Sequence, residues 1–141
     1  MINNVLAIGA GAMGSQVSFY YAMSGCNVTQ FDVSDEALEA CKRYHHGYVP
    51  AYRAARPSTT DEEIKAGLDR IRYSSDLESA AKDAELVTES APEVLEIKQQ
   101  LYADLNRFCP EHTIFTTNTS TLPPSAIAPS TGRPQRFLAL H

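Results

Sequence analysis

The chain carries Val-Leu-Ala-Ile-Gly-Ala-Gly-Ala-Met-Gly at residues 5–14, and this stretch decides its fold. A continuous apolar run enters three glycines, Gly9, Gly11 and Gly14, which have the G-x-G-x-x-G spacing, and a helical pattern opens at Met13. The pattern predicts a buried parallel strand that turns sharply into a helix whose N-terminus faces an anion.

Each glycine in the turn has its own physical reason. Gly9 allows backbone dihedrals that a side chain would block, Gly11 lets the main chain approach a pyrophosphate, and Gly14 lets the helix lie close on the strand. The free N–H groups of the first helical turn, which includes Met13, would hold the phosphates. A glycine-rich turn that binds nothing is the alternative, and the strand before it and the helix after it favour a dinucleotide.

The composition indicates one folded domain, residues 1–141, with small-molecule partners. The chain is 43% hydrophobic and 21% charged, which argues against disorder. No apolar run approaches the roughly 20 residues of a membrane span, and the N-terminus lacks a basic leader, so we expect a cytoplasmic protein without a membrane partner. A net charge of −5 disfavours nucleic acid as a partner. Cys26, Cys41 and Cys109 lack C-x-x-C spacing, so we expect free thiols.

Asp32 is the candidate for cofactor specificity. It lies at the end of a second predicted strand, residues 27–33, and is 18 residues beyond Gly14. A carboxylate at this place accepts hydrogen bonds from the adenosine ribose and repels a 2′-phosphate. An aspartate at a strand end can also be a turn residue or a helix N-cap. Because Ser34 is a better N-cap for the next helix, we assign Asp32 to the ribose and predict NAD as the cofactor.

Residues 42–72 form a predicted helical excursion after the second strand. Its first half is basic and begins with Lys42 and Arg43, which could meet the phosphates of a substrate carrier or could belong to a solvated helix face. His45 and His46 are adjacent and point about 100° apart on a helix, so we interpret them as surface or packing residues and expect no metal site. A capping box at Thr60 predicts a second helix from Asp61 to about Ile71.

Strand and helix patterns then alternate to the end of the chain. The predicted order β-α-β-α-α-β-α-β-α-β-α-β indicates an α/β fold, a doubly wound and mostly parallel Rossmann-type sheet. Ligands bind beyond the carboxyl ends of the strands in such sheets. This rule selects residues 89–93, residues 118–120 and His141.

Several motifs together resemble the N-terminal NAD-binding domain of the L-3-hydroxyacyl-CoA dehydrogenase family. They cover essentially the whole chain. They are the glycine turn, Asp32, Val-Thr-Glu-Ser-Ala-Pro-Glu at 87–93 with Lys98, Asn-Thr-Ser at 118–120, and Arg-Pro-Gln-Arg-Phe-Leu-Ala-Leu-His at 133–141.

The resemblance implies a role for each matched position. It assigns Glu93, Lys98 and Asn118 to NAD binding, with Glu93 and Lys98 near the nicotinamide half. It implies that Ser120 hydrogen-bonds the substrate oxygen and that His141 is the catalytic base. The chemistry agrees, because oxidation of a secondary alcohol needs a base beside the hydride acceptor and an imidazole can take a proton near neutral pH. The alternatives are that Ser120 is a helix N-cap after a strand and that His141 is a strand-end histidine without a partner.

Lys42 and Arg43 fall where the family contacts CoA, so the resemblance implies an acyl-CoA substrate and interconversion of L-3-hydroxyacyl-CoA with 3-oxoacyl-CoA. It also implies a C-terminal helical domain and a homodimer in the full-length protein. We therefore expect this chain to be a fragment that is nearly inactive alone. A related dehydrogenase of a small hydroxy acid or carnitine, without CoA, is the first alternative. A nucleotide-binding module without catalysis is the second.

Overall fold

A computed structural model describes all 141 residues as one six-stranded parallel sheet with helices on both faces. The order across the sheet is β3-β2-β1-β4-β5-β6. The first three strands extend the sheet to one side of β1 and the last three extend it to the other side, so the topological switch point lies between β1 and β4. The strands are β1 (Asn4–Ile8), β2 (Asn27–Phe31), β3 (Ile71–Ser74), β4 (Leu86–Glu89), β5 (Ile114–Thr117) and β6 (Phe137–Ala139). The predicted doubly wound fold is confirmed.

Six α-helices connect the strands. They are α1 (Ala12–Met23), α2 (Asp35–Ala55), α3 (Asp61–Asp69), α4 (Leu77–Ala81), α5 (Leu95–Phe108) and α6 (Pro124–Ile127). Two 3₁₀ turns, Ala128–Thr131 and Pro134–Arg136, follow α6 and lead into β6. None of the helices combines the length and apolar character needed to cross a membrane.

The helix ends follow the predicted capping signals. The Ser34 hydroxyl accepts a hydrogen bond from the Ala37 N–H at 3.2 Å, so Ser34 caps α2. Thr60 and Glu63 form the predicted capping box at the start of α3. Each cap satisfies an otherwise free backbone N–H in the first turn, so these short local signals fix where the helices start.

The predicted boundaries of the excursion were wrong. Residues 42–55 belong to α2, a continuous 21-residue helix with Pro50 in its interior, and residues 71 and 72 already belong to β3. The helix continues because Leu38, Cys41 and His45 form one inward stripe on it, and all three side chains are buried. The segment is thus an extended crossover between the neighbouring parallel strands β2 and β3.

Apolar side chains cover both faces of the sheet. The larger cluster centres on Leu6, Val87, Tyr102 and Phe115. The smaller cluster includes Val5, Ala22 and Val28 and lies under α1. Both faces of these strands are buried, so apolar residues do not alternate with solvent-facing polar ones along them. The polar side chains of the site therefore lie where the strands end.

Candidate functional site

The glycine turn joins β1 to α1 with almost no free space on one side. Gly9 has φ +93°, and a Cβ at this position would lie 2.5 Å from the Ser90 carbonyl oxygen. A Cβ at Gly14 would lie 1.8 Å from the Gly9 carbonyl oxygen. Side chains at these two positions would clash with backbone, so the turn requires glycine at both.

Gly11 differs from the other two glycines, because a Cβ there would meet nothing within 4 Å. Its φ of −72° is also ordinary for any residue. The fold itself therefore does not require glycine at this position. The open space beside Gly11, at the N-terminus of a 12-residue helix and next to the exposed side chain of Met13, fits an approaching pyrophosphate.

Asp32 follows β2 and links the ribose position to the glycine turn. Its Oδ2 accepts a hydrogen bond from the Ala10 N–H at 2.8 Å, and its Oδ1 accepts one from the Ser34 N–H at 2.9 Å. The turn role and the ribose role are compatible, since a carboxylate has about four lone-pair sites and the side chain is half-buried rather than enclosed. Asp32 is thereby held against the turn.

A buried ion pair lies beneath the next strand end. Glu89, the last residue of β4, and Lys98 on α5 are both fully buried, and Lys98 Nζ lies 2.5 Å from Glu89 Oε1. The Ala91 N–H also donates to Oε1 at 2.6 Å, and the Thr117 hydroxyl donates to Oε2 at 2.7 Å. These bonds satisfy the carboxylate, which a buried charge requires.

The same lysine also pairs with Glu93, a carboxylate at the surface. Lys98 Nζ lies 3.1 Å from Glu93 Oε1, while Glu93 Oε2 accepts hydrogen bonds from the hydroxyls of Thr119 at 2.5 Å and Thr121 at 2.8 Å. The Thr119 hydrogen bond is the main cause that lowers the pKa of Glu93, and Thr121 and Lys98 lower it further. An ionised, half-exposed carboxylate is therefore fixed beside the loop that follows β5. Lys98 has no exposed surface here, so its direct contact with the cofactor stays a prediction.

Asn118, Ser120 and His141 lie at the ends of the neighbouring strands β5 and β6. The Asn118 N–H donates to the Glu89 carbonyl at 2.9 Å, which anchors the loop to β4. Ser120 and His141 are both exposed. The Leu140 N–H donates to the Thr117 carbonyl at 2.9 Å, so the residue before His141 is still paired with β5.

The predicted residues follow the strand order along one edge of the sheet. Asp32 stands at β2, the glycine turn at β1, Glu93 after β4, Ser120 after β5 and His141 after β6. This order matches a dinucleotide that extends from an adenosine end at β2 to a reactive end at β5 and β6.

Lys42 and Arg43 lie far from this reactive end. Lys42 pairs with Glu39 at 2.5 Å and stands 5.1 Å above the ring of Tyr73 on β3, while Arg43 is exposed. Five strand spacings separate β3 from β6, which amounts to about 24 Å.

The sequence did not single out two residues that organise the site. Glu89 and Thr119 lie inside the selected segments, but neither was assigned a role. A carboxylate at the end of a buried apolar strand was the available signal for Glu89, because such a charge needs a partner. Nothing local in the sequence indicates the bond from Thr119 to Glu93.

The fold, the open cradle at Gly11 and the fixed carboxylate of Asp32 define a nucleotide-binding domain of the dehydrogenase type. The profile of the 3-hydroxyacyl-CoA dehydrogenase NAD-binding domain matches residues 4–141, so the chain belongs to this family and is its NAD-binding domain.

Similar proteins agree with this assignment. A probable 3-hydroxybutyryl-CoA dehydrogenase of Bacillus subtilis is 38% identical over 140 residues, which are 99% of this chain and 48% of the relative. The structure of Escherichia coli 3-hydroxybutyryl-CoA dehydrogenase has a TM-score of 0.91 at 35% identity, over 100% of this chain and 29% of that one. A diketoreductase that acts on dicarbonyl compounds has a TM-score of 0.93 at 43% identity, over 99% of this chain and 50% of that one. The chain spans about half the length of curated relatives such as the Bacillus protein.

Proposed function

We propose that this chain is the cofactor-binding part of an enzyme that interconverts L-3-hydroxyacyl-CoA and 3-oxoacyl-CoA with NAD. The observation that carries the proposal is the position of Ser120 and His141 at adjacent strand ends, next to Glu93 at the predicted nicotinamide end. The names of the relatives from Bacillus and Escherichia coli support an acyl-CoA substrate.

The roles of these residues follow from the chemistry of alcohol oxidation. When bound, the nicotinamide ring accepts a hydride from the substrate carbon or returns one. The imidazole of His141 takes the hydroxyl proton in oxidation and returns it in reduction. The Ser120 hydroxyl donates a hydrogen bond to the same substrate oxygen, where negative charge develops.

His141 has no carboxylate partner within the chain, since none of the six ion pairs includes it. A catalytic histidine without an orienting carboxylate loses control of its tautomer and stabilisation of its imidazolium. We therefore propose that the 141-residue chain binds NAD and turns over very slowly.

The purified chain provides the test. When the chain is titrated with NADH, the fluorescence should change and then saturate, which reports binding. Oxidation of NADH by acetoacetyl-CoA should be about 10³- to 10⁴-fold slower than with the Bacillus relative. Turnover equal to that of the relative would contradict the need for an outside partner. Failure to bind NADH would contradict the cofactor role and would indicate that the chain has lost NADH binding.

A substrate without CoA is the second candidate. The 43% identity to a diketoreductase favours it, as does the engagement of Lys42 with Glu39 and Tyr73. Calorimetric titration of the NADH-loaded chain with acetoacetyl-CoA and with acetylacetone compares the two candidates. Tighter binding of acetoacetyl-CoA supports the first, and equal or tighter binding of the small diketone supports the second.

The oligomeric state of the enzyme is a further part of the proposal. The family resemblance supports a homodimer of the full-length protein, and sedimentation velocity of that protein tests it. A single monomeric species across the concentration range would contradict the homodimer.

A further inference from the structure

His45 occupies an inward position on α2, where an apolar residue would be expected. It follows Leu38 and Cys41 on the buried stripe and has no exposed surface, with its ring stacked near Phe19 of α1 at a centroid distance of 6.3 Å. A polar side chain in such a place destabilises the fold unless it is hydrogen-bonded. The partners of His45 therefore show what the residue does.

The hydrogen bonds of His45 determine its tautomer. Nε2 lies 3.0 Å from the Ser15 carbonyl oxygen and 2.9 Å from the Ser18 hydroxyl, and Nδ1 lies 2.6 Å from the Tyr73 hydroxyl. A carbonyl oxygen only accepts, so Nε2 carries the hydrogen and Nδ1 accepts from Tyr73. Both ring nitrogens are thus used, one toward α1 and the other toward β3.

The groups around the imidazole are uncharged at neutral pH. Burial is the main cause that lowers the pKa of His45 to about 4. Burial likewise raises the pKa of the Cys41 thiol to about 12 and raises that of Tyr73, while His46 on the same helix is exposed. A neutral network of this kind holds a fixed geometry over the physiological pH range.

These contacts converge on the first turn of α1. The Ser15 N–H donates to the Gly11 carbonyl at 2.9 Å, the first main-chain bond after the glycine turn, and the Ser15 hydroxyl lies 2.9 Å from the Tyr48 hydroxyl on α2. The crossover helix therefore binds both the carbonyl and the hydroxyl of Ser15.

A buried side-chain amide also holds the turn, from the side of the sheet. Gln30 on β2 is fully buried, and its Nε2 donates to the Gly9 carbonyl at 2.8 Å and to the Ala7 carbonyl at 3.2 Å. Gln30 pairs in register with Tyr73, so the two side chains are neighbours on one face of the sheet. Gln30 thus holds the glycine turn from β2, next to the half-buried Tyr73 that donates to His45.

We propose that His45 is a positioning residue for the NAD site, acting through Ser15 to fix the first turn of α1 and its phosphate-binding N–H groups. Because those groups are main-chain atoms, their position depends on how the helix is held. Gly9 holds the turn against Ser90, the residue after β4, and His45 holds the first helical turn against α2. The proposal concerns cofactor binding alone and does not depend on the substrate.

Substitution of His45 separates cofactor affinity from stability. His45→Leu removes the donor to Ser15 and leaves the Tyr73 hydroxyl without its acceptor, so we expect the Kd for NADH to rise about five- to tenfold at neutral pH. His45→Gln keeps an N–H for the Ser15 carbonyl and should remain within about threefold of the unmodified chain. His46→Leu, the same change at the exposed neighbour, is the matched control and should not alter the Kd.

Fluorescence titration with NADH and thermal unfolding of the ligand-free chain measure the two effects. A merely structural role would lower the Tm and leave the Kd unchanged well below the Tm, and that result for His45→Leu would overturn the proposal. If His45→Leu fails to fold, Tyr73→Phe replaces it, because it deletes only the hydroxyl that donates to Nδ1. We expect NADH to bind Tyr73→Phe about threefold more weakly, and an unchanged Kd would overturn the proposal.

Discussion

Gly11 and Gly14 are three residues apart, but their surroundings predict opposite effects of an added methyl group. Gly14→Ala places a Cβ against the Gly9 carbonyl and should destabilise the chain by about 3 kcal/mol. Gly11→Ala meets open space at an ordinary φ, so the free energy of unfolding should change by less than about 0.5 kcal/mol.

Cofactor binding should follow a different order from stability. We expect Gly11→Ala to bind NADH at least about tenfold more weakly, because the methyl group occupies the space of the pyrophosphate. Urea unfolding and NADH titration of the two variants measure both quantities. A folded Gly11→Ala chain with unchanged affinity would show that the phosphates do not approach this residue.

We predict that Asp32 controls the choice between NADH and NADPH. Asp32→Asn removes the charge and turns an NH₂ toward the Ala10 or the Ser34 N–H, so NADH should bind about tenfold more weakly. The preference for NADH over NADPH should narrow, since the repulsion of a 2′-phosphate is lost. Parallel titrations with both cofactors measure it, and Asp35→Asn in the first turn of α2 is the control. An unchanged preference would place the ribose elsewhere.

At the scale of the elements, one buried ion pair joins β4 to α5 in addition to their apolar packing. Lys98→Met leaves the buried Glu89 carboxylate without its cation and should lower the free energy of unfolding by about 3–5 kcal/mol. The double variant Lys98→Met/Glu89→Gln removes both charges and should recover part of this loss. Lys65→Met, from the exposed pair with Asp69, should have little effect. A Lys98→Met chain with full stability in urea would contradict the buried pair.

The packing of α2 on α1 predicts an acid-sensitive fold. The folded state keeps His45 neutral to about pH 4, whereas an unperturbed histidine protonates near pH 6.5. The unfolded state binds more protons between these values, so the free energy of unfolding falls as the pH decreases from about 6.5 to 4. The His45 contribution to this fall is about 3 kcal/mol.

Urea unfolding at a series of pH values measures this dependence. His45→Gln should be less stable at neutral pH but should lose less stability on acidification, while His46→Gln should follow the unmodified chain. Equal slopes for His45→Gln and His46→Gln would show that another group carries the pH dependence.

The elements also show which features the sequence could predict. Caps such as Ser34 and Thr60, the glycine turn and the order of strands follow from short patterns, because their causes lie within a few residues. The predicted start of the excursion at residue 42 was wrong because the inward stripe of Leu38, Cys41 and His45 continues the helix, and the burial of His45 depends on α1, a distant part of the chain. The same reason hides the bonds from Thr119 to Glu93 and from Tyr73 to His45, since their partners become neighbours only when the strands pair.

The parallel sheet sets the dimensions of the site for the whole molecule. The carboxyl ends of the strands carry all the predicted site residues, and the strand order puts the predicted adenosine end and the predicted reactive end on opposite sides of the glycine turn. Lys42 lies over Tyr73 of β3, the outer strand on the side of the predicted adenosine end, whereas His141 follows β6, the outer strand on the opposite side of the sheet. We therefore expect a small substrate at His141 not to reach Lys42, whereas a substrate with a long phosphorylated carrier should.

Because Lys42 lies over β3, and β3 and β6 are about 24 Å apart across the sheet, Lys42 is a test of substrate size. In the NADH-loaded chain, Lys42→Ala should weaken binding of acetoacetyl-CoA about fivefold through loss of a phosphate contact. It should leave the N-acetylcysteamine thioester of acetoacetate, which lacks the nucleotide, unaffected. Isothermal titration calorimetry measures both, with Lys82→Ala at the amino ends of the strands as the control. If the affinity for both ligands falls equally, the substitution disturbs α2. If the affinity for neither ligand falls, Lys42 takes no part in substrate binding, and a substrate without CoA is favoured.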